Sequence, residues 1–279
     1  MTSRGAEAVT VYVIISLFFL QIRAFTTEPP VPLRLLNLIA QPPVPYALAW
    51  DLQKELMEHH IARQEHADSG VCGTVVLLEH RSVYTLGTAT KEDSGPFTTE
   101  LKDGSKLTYD LFQVERAGEA TYHGPGQLVV YPILDLNYFE KDIDKYLRGL
   151  ETVVIKSLEH VGIPSAGRIE GLTGVWVGDQ KLAAIGIKLR RWVTMHGVSV
   201  NVCPDMRYFA NIIPCGIRDK SVGSVAGLSL PPTATVDQFA RIFLDQFSEH
   251  FNVRWSQVLE GDNASQFLDT VTRQHTETN

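Results

Sequence analysis

The side chains best equipped for chemistry stand in one run and one isolated loop. Arg116-Ala117-Gly118-Glu119-Ala120-Thr121-Tyr122-His123-Gly124-Pro125-Gly126 sets a charged, glycine-rich turn against the apolar segment 127–133. Gly118, Gly124 and Gly126 let backbone N–H groups approach a bound molecule with no Cβ in the way, and Pro125 stiffens the turn. Arg116, Tyr122 and His123 then project polar groups from a rigid support. Taken singly, each is ordinary turn chemistry: an Arg paired with a surface carboxylate, a His at a strand end. Further on, Cys215 stands between Pro214 and Gly216, in a tight loop that suits a nucleophile. A thiol at its reference pKa of about 8.5 is mostly protonated at neutral pH, so such a residue needs a cation nearby. Cys72, just before a strand, and Cys203, just after one, read as small, partly buried hydrophobes. Neither Cys-x-x-Cys nor His-Glu-x-x-His occurs, and His59, His60 and His66 fall at or beyond a helix end, so no metal site is expected.

Three motifs in this order resemble those of the lipoyl(octanoyl) transferases. They are the run from Arg116; Gly178-Asp179-Gln180-Lys181-Leu182-Ala183-Ala184-Ile185-Gly186-Ile187 followed by Trp192-Val193-Thr194-Met195-His196-Gly197; and Ile213-Pro214-Cys215-Gly216-Ile217. The likeness covers about residues 35–255, with Ala117 where the family usually has a second glycine and a departure from its Thr-Ser-Leu pattern in 221–230. The resemblance implies transfer of an octanoyl group from octanoyl-acyl carrier protein to a lysine of a lipoyl domain. Acceptors would be the lipoyl domains of 2-oxoacid dehydrogenase complexes and the glycine cleavage H protein.

It further implies that Cys215 attacks the donor thioester, exchanging thiol for thiol. Lys181, a solvated hairpin lysine if taken alone, would lower the pKa of that thiol and carry its proton. Arg116, Ala117, Gly118, Glu119, Ala120, Thr121, Tyr122 and His123 would line the acyl channel with Ala184, Ile185, Gly186, Gly197, Val198 and Ser199. Small residues suit a narrow slot for a linear chain, each buried methylene being worth roughly 0.8 kcal/mol. Lys188, Arg190, Arg191 and Arg207 read as a basic rim for the acidic carrier. No dissociable cofactor is implied. The alternatives are an ATP-dependent lipoate protein ligase, which forms an acyl-adenylate with Mg²⁺ and needs no thiol, and a non-catalytic module that binds lipoyl domains or acyl carriers.

The whole sequence sets limits on these readings. Its 279 residues, 44% hydrophobic and 20% charged, suffice for one large α/β domain. A net charge of −7 argues against a nucleic-acid partner. Three cysteines are too few for a disulfide framework and point to a reducing compartment. Residues 1–32 read as a targeting leader: Arg4 precedes an apolar run, 9–20, too short to span a bilayer comfortably. The run resembles a secretory h-region and the first part of the bipartite leaders of secondary plastids, with a mitochondrial presequence as the rival. Stable membrane insertion of the mature protein is not expected. Residues 33–258 are then the catalytic domain and 259–279 a polar tail. Asn263-Ala264-Ser265 fits a glycosylation sequon, irrelevant inside an organelle.

Periodicity supplies the elements that must hold the motifs. Strands are predicted at 33–40, 74–79, 107–115, 127–133 and 192–202, with a hairpin at 173–177 and 181–189. Helices are predicted at 46–65 and along the stripe Ile143, Tyr146, Leu147, Leu150, Val154, Leu158 and Val161, stopping at Gly162. A last helix carries Phe239, Phe243, Phe247 and Phe251, with Thr235 and Gln238 as a capping box. Residues 88–106 lack periodicity and read as a mobile loop. Runs of strands with helices between some of them define an α/β (α+β) layer on a mixed sheet, and the resemblance implies the fold of lipoate and biotin protein ligases.

Overall fold

The computed structural model describes residues 29–64, 70–90, 97–100, 105–212, 220–228 and 235–278. Cys215, nearly all of the leader, much of the segment 88–106 and the last two residues of 221–230 lie outside the described residues. In chain order the elements are β1 (Val31–Asn37), α1 (Tyr46–Arg63), β2 (Gly73–Leu78), β3 (Val83–Leu86), β4 (Asp110–Gln113), β5 (Thr121–His123), β6 (Gln127–Leu134), α2 (Ile143–His160), β7 (Gly167–Ile169), β8 (Leu172–Val177), β9 (Gln180–Arg190), β10 (Val193–Asn201), β11 (Ser221–Val222), α3 (Val236–Phe251), β12 (Val253–Leu259) and α4 (Gly261–Thr278).

The main sheet runs β12-β1-β2-β6-β10-β9-β8-β7. β12, β1 and β2 are parallel to one another, and every further step to β7 is antiparallel. β11 pairs parallel with β9 at the end that β10 leaves free, Val222 lying against Lys181. Helices cover both faces, so the central strands are apolar throughout instead of alternating. Along β6, Leu128, Val130 and Leu134 enter the core under α2 and α3, while Val129, Tyr131 and Ile133 enter the core under α1 and α4. The stripe of α2 buries Leu150, Val153, Val154 and Leu158; that of α3 buries Phe239, Phe243 and Phe247. α3 starts at the expected capping box, Thr235 Oγ1 accepting from Gln238 N and Gln238 Oε1 from Thr235 N.

Several expectations are corrected. The strand expected at 107–115 shrinks to β4, which with β3 and β5 makes a separate sheet of order β4-β3-β5. β3, β5 and β7 are strands of three or four residues, too short to leave a periodic trace. The phenylalanine helix is not the last one. The segment read as a polar tail holds α4, which lays Ala264 and Leu268 into the core beside α1. Cys203 is exposed; only Cys72 is a buried thiol among the described cysteines. No helix among the described residues is long and apolar enough to cross a membrane.

Candidate active site

Three neighbouring strands lay small side chains on one face and so form the floor of a slot. Pairing places Val129, Ser199 and Ala184 in one row across β6, β10 and β9, and Gly197 and Gly186 in the next, beside Tyr131. The run from Arg116 forms the roof. Its backbone is tied down at several points: Ala117 N donates to Ile187 O at 3.0 Å, and Thr88 N and Ala89 N donate to the carbonyls of Arg116 and Gly118 at 3.0 Å. A Cβ at Gly186 would lie 2.8 Å from the Ala117 carbonyl oxygen, and one at Gly197 would lie 2.3 Å from that of Val130. Both glycines are required by close approach.

The slot so enclosed is lined by residues 116–121, His123, Lys181, residues 184–186 and residues 197–199. Every described residue expected at the site therefore reaches it except Tyr122. The alternation of β5 turns Tyr122 away from its neighbours, into the second sheet, where it is fully buried. There its ring stacks on Tyr208 at 4.6 Å and its hydroxyl is 3.0 Å from Ser82 Oγ. It braces the roof from behind. Lys181, expected as a solvated hairpin residue if taken alone, is only 7% exposed, with Nζ 5.3 Å from the Trp176 ring centroid. Arg116 is buried as well, its Nη2 donating to the Thr85 carbonyl and hydroxyl at 2.7 and 2.8 Å. Its charge serves the roof's attachment to β3.

Sequence reasoning missed the inner wall. Tyr46, Gln127, Tyr131, His196 and Asn201 also line the slot, as do Phe209, Ile212 and Val222. Gln127 Oε1 accepts from His123 Nδ1 at 2.7 Å, and its Nε2 donates to Asn201 Oδ1 at 2.8 Å. Tyr131 Oη meets His80 Nε2 at 2.7 Å, and His80 Nδ1 meets the Val44 carbonyl at 2.9 Å. His196 has φ +60°, and its N–H leaves the ladder to donate to Gln53 Oε1 at 2.8 Å. This left-handed residue breaks the alternation of β10 and leaves Nε2 buried without a hydrogen-bond partner among the described residues. Burial holds the imidazoles neutral, lowering His80 to about 4, His196 to about 3 and His123 well below the ordinary range.

The basic rim is largely cancelled by ion pairs. Lys188 meets Glu115 at 3.1 Å, Arg207 meets Asp205 at 2.6 Å and Arg190 pairs with Glu58. No group of three or more His, Cys, Asp or Glu that would hold a metal occurs among the described residues.

The model of one family, the lipoyl protein ligase A/B catalytic domain, covers most of this chain, the strands of the slot included. It matches residues 45–248, and the chain belongs to that family. Relatives within the family include octanoyltransferases. A chloroplastic octanoyltransferase of Arabidopsis thaliana, LIP2p2, is 41% identical, over 76% of each chain; one of Synechocystis is 45% identical, over 76% of this chain and 88% of its own. Among solved structures, a Thermoplasma acidophilum protein described as a putative lipoate protein ligase superposes with a TM-score of 0.60 at 15% identity, covering 90% of this chain and 95% of its own. Lipoate-protein ligase A bound with ATP gives 0.58 at 16%, covering 88% and 95%. At such identities these two share the fold.

Proposed function

We propose that the protein transfers an octanoyl group from octanoyl-acyl carrier protein, through a thioester on Cys215, to a lysine of a lipoyl domain. The observation that carries this reading is the position of Lys181. It is buried in the wall of an apolar slot and paired with β11, and the chain leaves the slot at Ile212 and returns to it at Val222, on either side of the segment that holds Cys215. Cys215 is three residues beyond Ile212, a reach of at most about 11 Å. In the proposed reaction the Cys215 thiolate attacks the donor thioester carbonyl. The bond to the carrier thiol breaks, and the departing thiolate takes a proton from the Lys181 ammonium. The acceptor lysine amine then attacks the new thioester, its proton passes to the now neutral Lys181 amine, the amide forms, and the Cys215 sulfur leaves as thiolate.

The names of the relatives support octanoyl as the acyl group and favour the thiol route over an ATP-dependent ligase. Intact-protein mass spectrometry after mixing with octanoyl-acyl carrier protein tests it. One octanoyl group should appear on the wild type without ATP, map to Cys215, persist in Cys72→Ser and Cys203→Ser, and vanish in Cys215→Ser. An adduct on Cys72 or Cys203, or a requirement for ATP, refutes the proposal. The chloroplastic relative and the cyanobacterial one favour a plastid as the compartment.

A further inference from the structure

Glu151 sits in α2 with its side chain 1% exposed. A carboxylate at such depth is costly unless fully paired. Its Oε2 accepts from Arg148 Nη1 and Arg168 Nε, both at 2.7 Å, and Arg168 is fixed in turn by the Arg148 carbonyl and the Thr152 hydroxyl. The other oxygen, Oε1, accepts the backbone N–H of Gly174 at 3.0 Å.

Gly174 lies in β8 where the ladders on both sides lose register. The pairing with β7 steps between Gly167 and Ile169, and that with β9 between Val175 and Trp176. Its φ is +120°, a conformation that side chains rarely adopt. A Cβ there would lie 2.6 Å from Lys181 Cε, 3.3 Å from Lys181 Nζ and 2.5 Å from the Ala183 carbonyl oxygen. The Lys181 stem thus runs directly over the Gly174 backbone, through space that exists because β8 is kinked at that residue.

We propose that Glu151 is a positioning residue for Lys181, holding the Gly174 amide so that β8 keeps the kink in which the lysine side chain lies; the proposal rests on the reading of Lys181 as partner of the Cys215 thiol. Apolar residues would pack α2 on the sheet at least as well as a buried ion cluster. What they would not supply is an acceptor for a strand N–H that has left its ladder. Glu151 lines neither the slot nor its rim, so it reaches Lys181 through β8, directly at Gly174 and by way of Arg168 in the neighbouring β7.

The test compares the full-length wild type with Glu151→Ala, Glu151→Gln, Gly174→Ala and Lys181→Ala. Two rates are followed by peptide mass mapping: reductive methylation of Lys181, which reads its burial, and iodoacetamide alkylation of Cys215 against pH. Thermal midpoints are recorded for each variant. Loss of one hydrogen bond to a charged group should raise Lys181 methylation roughly tenfold in Glu151→Ala and move the Cys215 alkylation midpoint towards that of Lys181→Ala. Glu151→Gln keeps an oxygen for the Gly174 amide and should stay near the wild type in both rates, even where its thermal midpoint falls. If Glu151→Ala lowers the thermal midpoint but leaves Lys181 methylation unchanged, Glu151 is structural and the proposal is overturned. If methylation rises while alkylation is unmoved in both Glu151→Ala and Lys181→Ala, the positioning role stands and the lysine–thiol reading fails. Should Glu151→Ala not fold, Gly174→Ala decides, because its methyl group occupies the path of the lysine stem; unchanged methylation there also overturns the proposal.

Discussion

Ser199 shows how single side chains set what the slot accepts. It lies in the floor between Val129 and Ala184, and it is 4% exposed. On the proposed reading a leucine there would fill room for the acyl chain, and each displaced methylene would forfeit about 0.8 kcal/mol, close to fourfold in rate. Ser199→Leu should therefore lower kcat/KM for octanoyl donors by about 10- to 100-fold while affecting butanoyl donors far less. Competition between donors of different length reads this directly; an equal loss for all lengths would place Ser199 outside the acyl path.

The buried imidazoles carry a prediction of their own. His60, His80, His123 and His196 are all held neutral by desolvation, with His60 lowered to about 3. An unfolded histidine binds its proton near pH 6.5, so below that pH the unfolded chain takes up protons that the folded one refuses. Stability therefore falls as pH falls, by about 1.4 kcal/mol per imidazole per pH unit, until each folded-state pKa is reached. Between pH 6.5 and 5.5, where the unfolded rings go from half to almost fully protonated, four such groups lose about 4 kcal/mol, against a typical total of about 5–15 kcal/mol. Denaturant midpoints should drop steeply between pH 6.5 and 5, and His196→Gln should make the slope shallower. A flat profile would mean that these rings are protonated or solvated.

At the scale of elements, the docking of α4 is the clearest test. Leu268, 7% exposed, and Ala264 place this helix in the same core as Leu52 and Leu56 of α1. Leu268→Ala should cost about 2–3 kcal/mol by loss of transfer energy and creation of a cavity, read from equilibrium unfolding. A change within about 0.5 kcal/mol, the usual range for a surface site, would return the segment to a polar tail. The helix was illegible because its composition is polar apart from Ala264, Phe267, Leu268 and Val271, a stripe easily missed next to the phenylalanines of α3.

Legibility elsewhere followed length and locality. The long apolar β6, the stripes of α2 and α3 and the β8–β9 hairpin repeat their signals over enough residues to be read. The turn from β9 to β10 is built on Arg191 and Trp192, both at positive φ, without the Asn or Gly that usually betrays it. In the site, the roof was visible because it comes from one contiguous motif, and the β9 and β10 parts of the floor because they lie in or directly after the second motif. Tyr46, Tyr131 and His196 were not, since they reach the slot through tertiary packing, and for His196 through a break in strand alternation. Tyr122 was misplaced for the complementary reason: the run containing it turns out to be partly a strand, and alternate residues of a strand face opposite ways.

For the molecule as a whole, the leader and the domain should be separable. The domain begins with β1 at Val31, whose side chain packs on a core of buried residues from Leu33 onward. Removing residues 1–27 should leave the thermal midpoint and octanoyl transfer unchanged, while a fusion of residues 1–32 to a fluorescent protein should enter a plastid. An inactive truncated protein, or a fusion that stays in the cytosol, contradicts this division.

The pairing of β1 with β12 bears on when such a chain becomes a folded object. The strand that emerges first has one flank closed by a strand made near the end: Val31 pairs with Val253, and Arg34 donates to Gln257 across 223 residues of chain. Contacts of such long range form late and slowly. A chain leaving the ribosome therefore carries an unsatisfied edge through almost its whole synthesis. Until the last strand arrives β1 keeps that edge open, so a chain cut before Val253 should lack a finished sheet however long it is given to fold.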